Sequence, residues 1–337
     1  MNSIITLLIN CNMKRALITG ITGQDGSYLA KLLIEKGYHV IGIIRSHHSS
    51  NLSNLKYLGI LDKVSLEECD LCDLAFVIGL IEKHSPDELY NLAAQSSVGL
   101  SFSHPTSTIQ YNITSVLNLL EAIRLMNKPI RFYQASSSEM FGRVQKLPIT
   151  LSTPMNPISP YATSKASGYW TVINFRESYG IFACSGILFN HESYLRPKNF
   201  FIKKVITESV QIHFGHRSIL KVGNLDVKRD FGYAPSYVDA MWRILQQEKP
   251  QDFIICSGQS ISLREIVQYI FSQLNISDSK LVVDPELYRP VDIADIYGDN
   301  TPAKLQLSWS YDLDFKQVLN NLIQEEKTNY KFPHEAN

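Results

Sequence analysis

The sequence predicts an α/β protein: a doubly wound parallel sheet over roughly the first 190 residues, then a smaller C-terminal lobe. Three observations carry this. A glycine-rich turn, Gly20-x-x-Gly23-x-x-Gly26, falls between a short apolar run and a segment of helical periodicity. Short apolar runs then alternate with helical patterns as far as Phe189. Beyond it the pattern loosens into turns, shorter elements and a tail rich in Asp, Pro and Tyr.

Arg15–Thr19 reads as the first strand, Ser27–Lys36 as the first helix with Gly37 as its cap, and Tyr38–Ile44 as the second strand. This is one complete β-α-β unit, whose parallel strands must be buried on both faces. Strands follow at Val64–Cys69, Glu88–Ala93, Ile130–Ala135 and Phe182–Phe189. They alternate with helices at Leu74–His84, Thr108–Met126 and Pro160–Tyr179. The alternation is that of a Rossmann-type sheet. Past it, a helix is expected at about 199–213. A second helix, Ser236–Gln246, and a strand, Phe253–Cys256, are expected to rejoin the sheet. A further helix, Ser262–Leu274, is introduced by a Ser cap. The expected division is therefore 13–190 plus about 232–257 for a dinucleotide domain, and about 191–231 plus 258–330 for a substrate lobe. Either residues 1–12 are a disordered extension or Met13 is the natural start.

Composition narrows the function. The 337 residues are 45% hydrophobic and 19% charged, ample for a core. Lys plus Arg and Asp plus Glu both number 32, so neither nucleic acid nor an anionic membrane is implied as a partner. No apolar stretch reaches the ~18 residues of a membrane span, and no signal peptide is evident. Five scattered cysteines make no disulfide framework and point to a reduced, cytoplasmic setting. Cys69-Asp-Leu-Cys72 has no second pair for zinc and reads as a strand end rather than a redox motif, so no metal is expected.

The glycine turn provides a phosphate cradle, with backbone free to turn tightly and a helix N-terminus offering N–H groups to a pyrophosphate. The acid that would grip a ribose 2′-hydroxyl after the second strand is absent. Arg45 stands there instead, which suits a 2′-phosphate and favours NADP. Asp70 and Leu71, after the third strand, are placed for the adenine. Tyr161-x-x-x-Lys165 puts a phenol and an ammonium on one helix face, where the ammonium is expected to favour the phenolate. The run Ser136-Ser137-Ser138 ends a parallel strand at the crevice where such sheets bind ligands.

These segments resemble the extended short-chain dehydrogenase/reductase family, and within it the GDP-mannose 4,6-dehydratase family. The likeness is carried by GITGQDGSYLA (20–30), NLAAQSSV (91–98), YQASSSEMFG (133–142), SPYATSKASGYW (159–170), FNHES (189–193) and GNLDVKRDFGYAPSYVDAMW (223–242). It implies a catalytic set of Ser137, Glu139, Tyr161 and Lys165. Ser137 stands where the family has Thr. Glu139 separates the reaction classes, since a dehydratase also needs a carboxylate for the sugar C5 proton. The implied cofactor is NADP, contacted by Gly20, Thr22, Gly23, Gln24, Asp25, Gly26, Arg45, Asp70, Leu71, Leu92, Ala93, Ala94, Gln95, Ser96, Tyr161, Lys165, His191 and Arg196. The implied substrate contacts are Ser97, Asn190, Lys203, Lys204, Arg229 and Arg289, the cations serving a diphosphate.

GDP-mannose or a related GDP-sugar is the implied substrate. A GDP-heptose is the alternative, as is an NADP-dependent 4-reductase or epimerase of the same fold. A non-catalytic dinucleotide-binding regulator would not need Ser137, Tyr161 and Lys165 together. The sequence departs from the family at Ser46 (a second Arg), at Ser107 (a Tyr) and at Tyr194-Leu195-Arg196-Pro197 (Pro-Arg-Arg-Gly). The helices at 108–126 and 160–179 are expected to pair across a homodimer or homotetramer.

Overall fold

A computed structural model of the chain describes residues 13–48 and 50–330. The expectations for residues 1–12 lie outside the described residues. Seven strands form a wholly parallel sheet: β1 (Arg15–Thr19), β2 (His39–Ile44), β3 (Val64–Glu68), β4 (Glu88–Asn91), β5 (Arg131–Ser137), β6 (Ala183–Leu188) and, later in the chain, β10 (Phe253–Ile255). Their order is β10-β6-β5-β4-β1-β2-β3. Ala16, Leu17, Ile18 and Thr19 are fully buried, as a strand covered by helices on both faces must be. The order reverses between β1 and β4, which opens a crevice at their C-terminal ends.

The helices flanking the sheet are set by local chemistry. Asp73 caps Leu74–His84 by accepting hydrogen bonds from the N–H groups of Ala75 and Phe76. Ser159 caps Pro160–Tyr179, with Pro160 in the first turn and Gly180 ending it at φ +67°. The first helix, Gln24–Glu35, begins three residues before the expected Ser27 and so includes Gly26. Its opening turn closes against the Gly20 carbonyl, and a Cβ at Gly26 would lie 2.3 Å from that oxygen. A short helix, Val98–Ser103, was not expected. Ser97 caps it by accepting from the Leu100 N–H.

The lobe has a core of its own. The three-stranded sheet orders β7 (Asn190–Glu192), β9 (Lys228–Tyr233) and β11 (Ser260–Ser262), while β8 (Leu220–Val222) pairs with β12 (Leu281–Val283). The helices Phe201–His213, Leu263–Leu274 and Phe315–Thr328 pack against these strands. In Leu263–Leu274 the buried positions 263, 266, 267, 270, 271 and 274 form one stripe. A reciprocal capping box of Ser262 and Glu265 starts that helix. The tail at Thr301–Tyr311, assigned above to the lobe, packs instead on the core of the parallel sheet. Ala303, Leu307 and Trp309 are buried there, and the Trp309 indole donates to the Ser236 carbonyl.

Asp230 on β9 stitches the two parts together. It is fully buried and accepts hydrogen bonds from the Ser257 N–H (2.8 Å), the Ser257 hydroxyl (2.7 Å) and the Gly258 N–H (3.0 Å), just past β10. Burial raises its carboxyl from 3.8 to about 6, against the pull of those hydrogen bonds. A raised carboxyl pKa means the folded chain holds the proton more tightly than the unfolded chain. The contribution is therefore complete below about pH 4 and lost as pH rises through 6. Denaturant titrations of the wild type and Asp230→Asn should show the wild type losing about 2–3 kcal/mol relative to the variant between pH 4 and 7. A pH-independent difference would contradict this.

Candidate active site

A cavity of about 830 Å³ lies over the C-terminal ends of the parallel strands and is walled on its far side by the lobe. Its floor is held by a row of buried polar groups. The Thr19 hydroxyl donates to Asn91 Oδ1 (2.6 Å) and accepts from the N–H groups of Leu92 and Ala93 (both 3.1 Å). Asn91 donates to Gln134 (2.8 Å), Gln134 donates to the Ala135 carbonyl (3.1 Å), and Lys165 Nζ donates to the same carbonyl (2.8 Å). Three adjacent strands are thus tied to the helix that carries Lys165. Thr19, Asn91 and Gln134 carry no local signal in the sequence, because a polar residue in an apolar run signals nothing until its neighbours across the sheet are known.

The glycine turn is shaped for close approach. Gly20 has φ +70°, and a Cβ there would lie 2.8 Å from the Ala93 nitrogen. Gly20, Thr22, Gly23, Gln24, Asp25 and Gly26 line the cavity together with Arg45, Leu71, Leu92, Ala93, Ala94 and Ser96. Arg45 lies 4.5 Å from the centre of the Tyr111 ring, which also faces the cavity. Asp70 and Gln95 do not line it. Asp70 turns back to accept from the Cys72 N–H, and Gln95 donates to the Ser97 carbonyl. Their local backbone groups claim these side chains. Cys69 and Cys72 are free, and burial raises both thiols, the opposite of what a redox pair needs.

Gln24, Asp25 and His191 line the cavity, yet most of their bonding capacity is spent on one another. His191 Nε2 lies 2.9 Å from Asp25 Oδ2, and Nδ1 lies 2.7 Å from the Phe189 carbonyl. The ring stacks on Tyr237, with 4.7 Å between centroids. Gln24 donates to the His191 carbonyl and accepts from Ser193. Burial pushes Asp25 up, but His191, Gln24 and Arg196 outweigh it and leave the carboxyl at about 2. The glycine turn is thereby fastened to β7.

Ser137, Glu139, Tyr161 and Lys165 converge on the cavity. Ser137 ends β5 and accepts from the Glu139 N–H, at the start of the 3-10 turn Ser138–Phe141. Gly142 follows at φ +54°, where a Cβ would strike the Asn156 carbonyl oxygen at 1.7 Å. Burial raises Tyr161 to about 12. Its hydrogen bond to Ser137 and the charge of Arg196 pull it down, while Glu139 and Asp25 push it up. Burial lowers Lys165 to about 8, against the pull of Asp25. The expected lowering of Tyr161 by Lys165 is not what the geometry favours. The ammonium is bonded to the Ala135 carbonyl and lies 5.9 Å from the centre of the Tyr161 ring.

Ser97, beyond β4, and on the lobe side Asn190, Arg196, Lys204, Arg229 and Arg289 line the cavity. Lys203 does not. It forms a buried pair with Glu326 (2.6 Å) and lies over the Tyr194 ring, because the helical turn directs it into the lobe while Lys204 faces the cavity. Glu192, Gly223, Asn224, Leu287 and Asp292 also line the cavity and were not singled out from the sequence. Among the described residues no cluster of His, Cys, Asp and Glu could hold a metal ion, and no helix is long and apolar enough to cross a membrane.

The parallel sheet, the glycine turn and the Ser-Tyr-Lys constellation define a member of the extended short-chain dehydrogenase/reductase class. A solved dTDP-glucose 4,6-dehydratase from Streptomyces venezuelae, with NAD bound, has this fold. Its TM-score is 0.83 at 19% identity, over 94% of this chain and 97% of that one. The family model "GDP-mannose 4,6 dehydratase" matches residues 17–322. The chain is 40% identical to the human GDP-mannose 4,6 dehydratase over 91% of this chain and 90% of the relative. It is 39% identical to the enzyme of Yersinia enterocolitica over 92% and 93%. The chain belongs to the GDP-mannose 4,6-dehydratase family.

The cradle is a sharp test of the site. Gly26→Ala forces a methyl against backbone at 2.3 and 2.7 Å, which no side-chain rotation relieves. The variant should bind NADPH at least ten-fold more weakly by fluorescence titration. Unchanged affinity would mean that the turn is not the pyrophosphate site.

Proposed function

We propose that this chain converts GDP-mannose to GDP-4-keto-6-deoxymannose with a bound NADP. The observation that carries the reading is Glu139, which enters the same cavity as Ser137, Tyr161 and Lys165. A reductase or epimerase needs the last three alone. The cavity fits a dinucleotide. It runs from a glycine cradle that a single Cβ would obstruct to the catalytic residues, and on its wall Arg196 Nε and Glu192 Oε2 pair with each other at 3.6 Å. Gly20, Thr22, Gly23 and Gly26 would hold the pyrophosphate, Leu71, Leu92, Ala93, Ala94 and Ser96 the adenosine side, and Lys165 a ribose hydroxyl. Arg45, braced on Tyr111, would meet a 2′-phosphate.

When bound, the dinucleotide supplies hydride acceptance from sugar C4 and hydride return to C6. The chain's own residues move the protons. Tyr161, hydrogen-bonded to Ser137, takes the proton of the 4-hydroxyl. The resulting ketone acidifies C5–H. Glu139 removes that proton, the C6 hydroxyl leaves as water by taking up one of the two protons so collected, and the other returns to C5, so that both residues end the cycle as they began it. Ser97 and Asn190 would hold the sugar, and Lys204, Arg229 and Arg289 the diphosphate. Residues 13–190 with about 232–257 serve the cofactor, and the lobe closes on the sugar nucleotide. Leu117, Leu125, Trp170 and Tyr179 are exposed on the adjoining helices Pro105–Met126 and Pro160–Tyr179 and supply an apolar face for a homodimer in the cytoplasm.

Three experiments test this. Incubation with GDP-mannose, and separately with a GDP-heptose, should show loss of one water from GDP-mannose by mass spectrometry without added reductant. Loss from the heptose alone would reassign the sugar, and loss from neither would reject the dehydratase. Glu139→Gln should lower kcat at least 100-fold and abolish exchange of solvent deuterium into C5, while C4 oxidation still reduces the bound dinucleotide. Arg45→Ala should weaken NADPH about ten-fold or more and leave NADH affinity unchanged. Equal effects on the two would move the 2′-phosphate contact elsewhere.

A further inference from the structure

Asp292 is a carboxylate in the part of the cavity that should receive an anion. Its Oδ1 lies 2.5 Å from Arg229 Nη2, 3.0 Å from the Ile293 nitrogen and 3.7 Å from Arg289 Nη1. Arg229 is also fixed through Nη1, which donates to the Lys228 carbonyl (2.8 Å) and the Ile293 carbonyl (2.6 Å). Only 5% of Arg229 is exposed, so this bonding sets where its remaining N–H groups point. The more exposed Arg289 is held loosely at the same oxygen. Two guanidiniums that would otherwise repel are thus brought together by one acid. Lys204, anchored to the Lys221 carbonyl, lines the same cavity. Three cations against one carboxylate leave the charge that a diphosphate neutralises.

We infer that Asp292 is a positioning residue: it presents Arg229 and Arg289 as a pair to the substrate's diphosphate. This rests on the reading of the site as one for a GDP-sugar. The sign of one measurement separates it from the plain electrostatic alternative. A carboxylate that merely sits beside a diphosphate repels it, so its removal would tighten binding. A carboxylate that positions the arginines would weaken binding when removed.

The test is calorimetric titration of the NADPH-loaded protein with GDP, which carries the diphosphate without the sugar. Asp292→Asn should weaken GDP at least ten-fold, and Asp292→Glu should recover most of that loss. Arg229→Met combined with Asp292→Asn should bind GDP no worse than Arg229→Met alone, because the acid acts through the arginine. Retained NADPH affinity certifies the fold. Should the Asn variant fail to fold, Asp292→Ser, which keeps an oxygen for the Ile293 N–H, carries the same expectation. Unchanged or tighter GDP binding in the folded variant, or full additivity with Arg229→Met, overturns the proposal. GDP binding needs no turnover. A protein that binds GDP as expected yet releases no water from GDP-mannose would count against the dehydratase reading and not against Asp292.

Discussion

The row of hydrogen bonds from Thr19 through Asn91 and Gln134 to the Ala135 carbonyl and Lys165 is the constraint on which the site depends. It crosses three strands at their C-terminal ends, where parallel strands stop and the crevice begins. Each member is buried, and each would cost about 1–3 kcal/mol if left without its partner. The register of β1, β4 and β5 is therefore fixed where ligands enter, and not only by the apolar residues below. Lys165 ends this row with its ammonium already committed to the Ala135 carbonyl. Its amine stays buried near the cavity and its pKa falls.

That commitment changes how Tyr161 must be understood. A phenol beside a free ammonium would ionise more easily, yet here burial dominates and holds Tyr161 high. Ser137 and Arg196 lower it, from β5 and from the segment after β7 respectively. The groups that pull it down thus come from both the sheet and the lobe side of the cavity. Arg196 lies 3.8 Å from the Phe200 ring centre and pairs with the buried Glu192.

A second tie joins the glycine turn to β7. Asp25, His191, Gln24 and Ser193 bond across a sequence distance of more than 160 residues. β7, which begins at Asn190, is pinned to the glycine turn. Asp230 makes a comparable tie between β9 and the end of β10. Each tie uses a buried charge, which is costly unless fully hydrogen-bonded. The carboxyl of Asp25 is paired and stays low, whereas that of Asp230 meets only neutral donors and rises.

Glu139 was singled out only by the family resemblance, but the sequence by itself determined the parallel sheet, its alternation with helices, the glycine turn, the serines at the end of β5 and the Tyr161–Lys165 spacing. These follow from local rules: period-two and period-3.6 patterns, caps such as Ser159 and Gly180, and residues close together in the chain. The helix Pro160–Tyr179 was legible to the residue because Ser-Pro opens it and Gly closes it. Only the tertiary structure decided which way long side chains turn. Lys203 and Lys204 are neighbours, yet one pairs with Glu326 inside the lobe and the other faces the cavity. Asp70 stood after the third strand and Gln95 in a matching segment, but both bond to backbone two residues on. Asp292 and the polar row across the sheet carried no local signal at all. A charged side chain gains most where its partner is, and that partner lies in a distant part of the chain that only folding brings near.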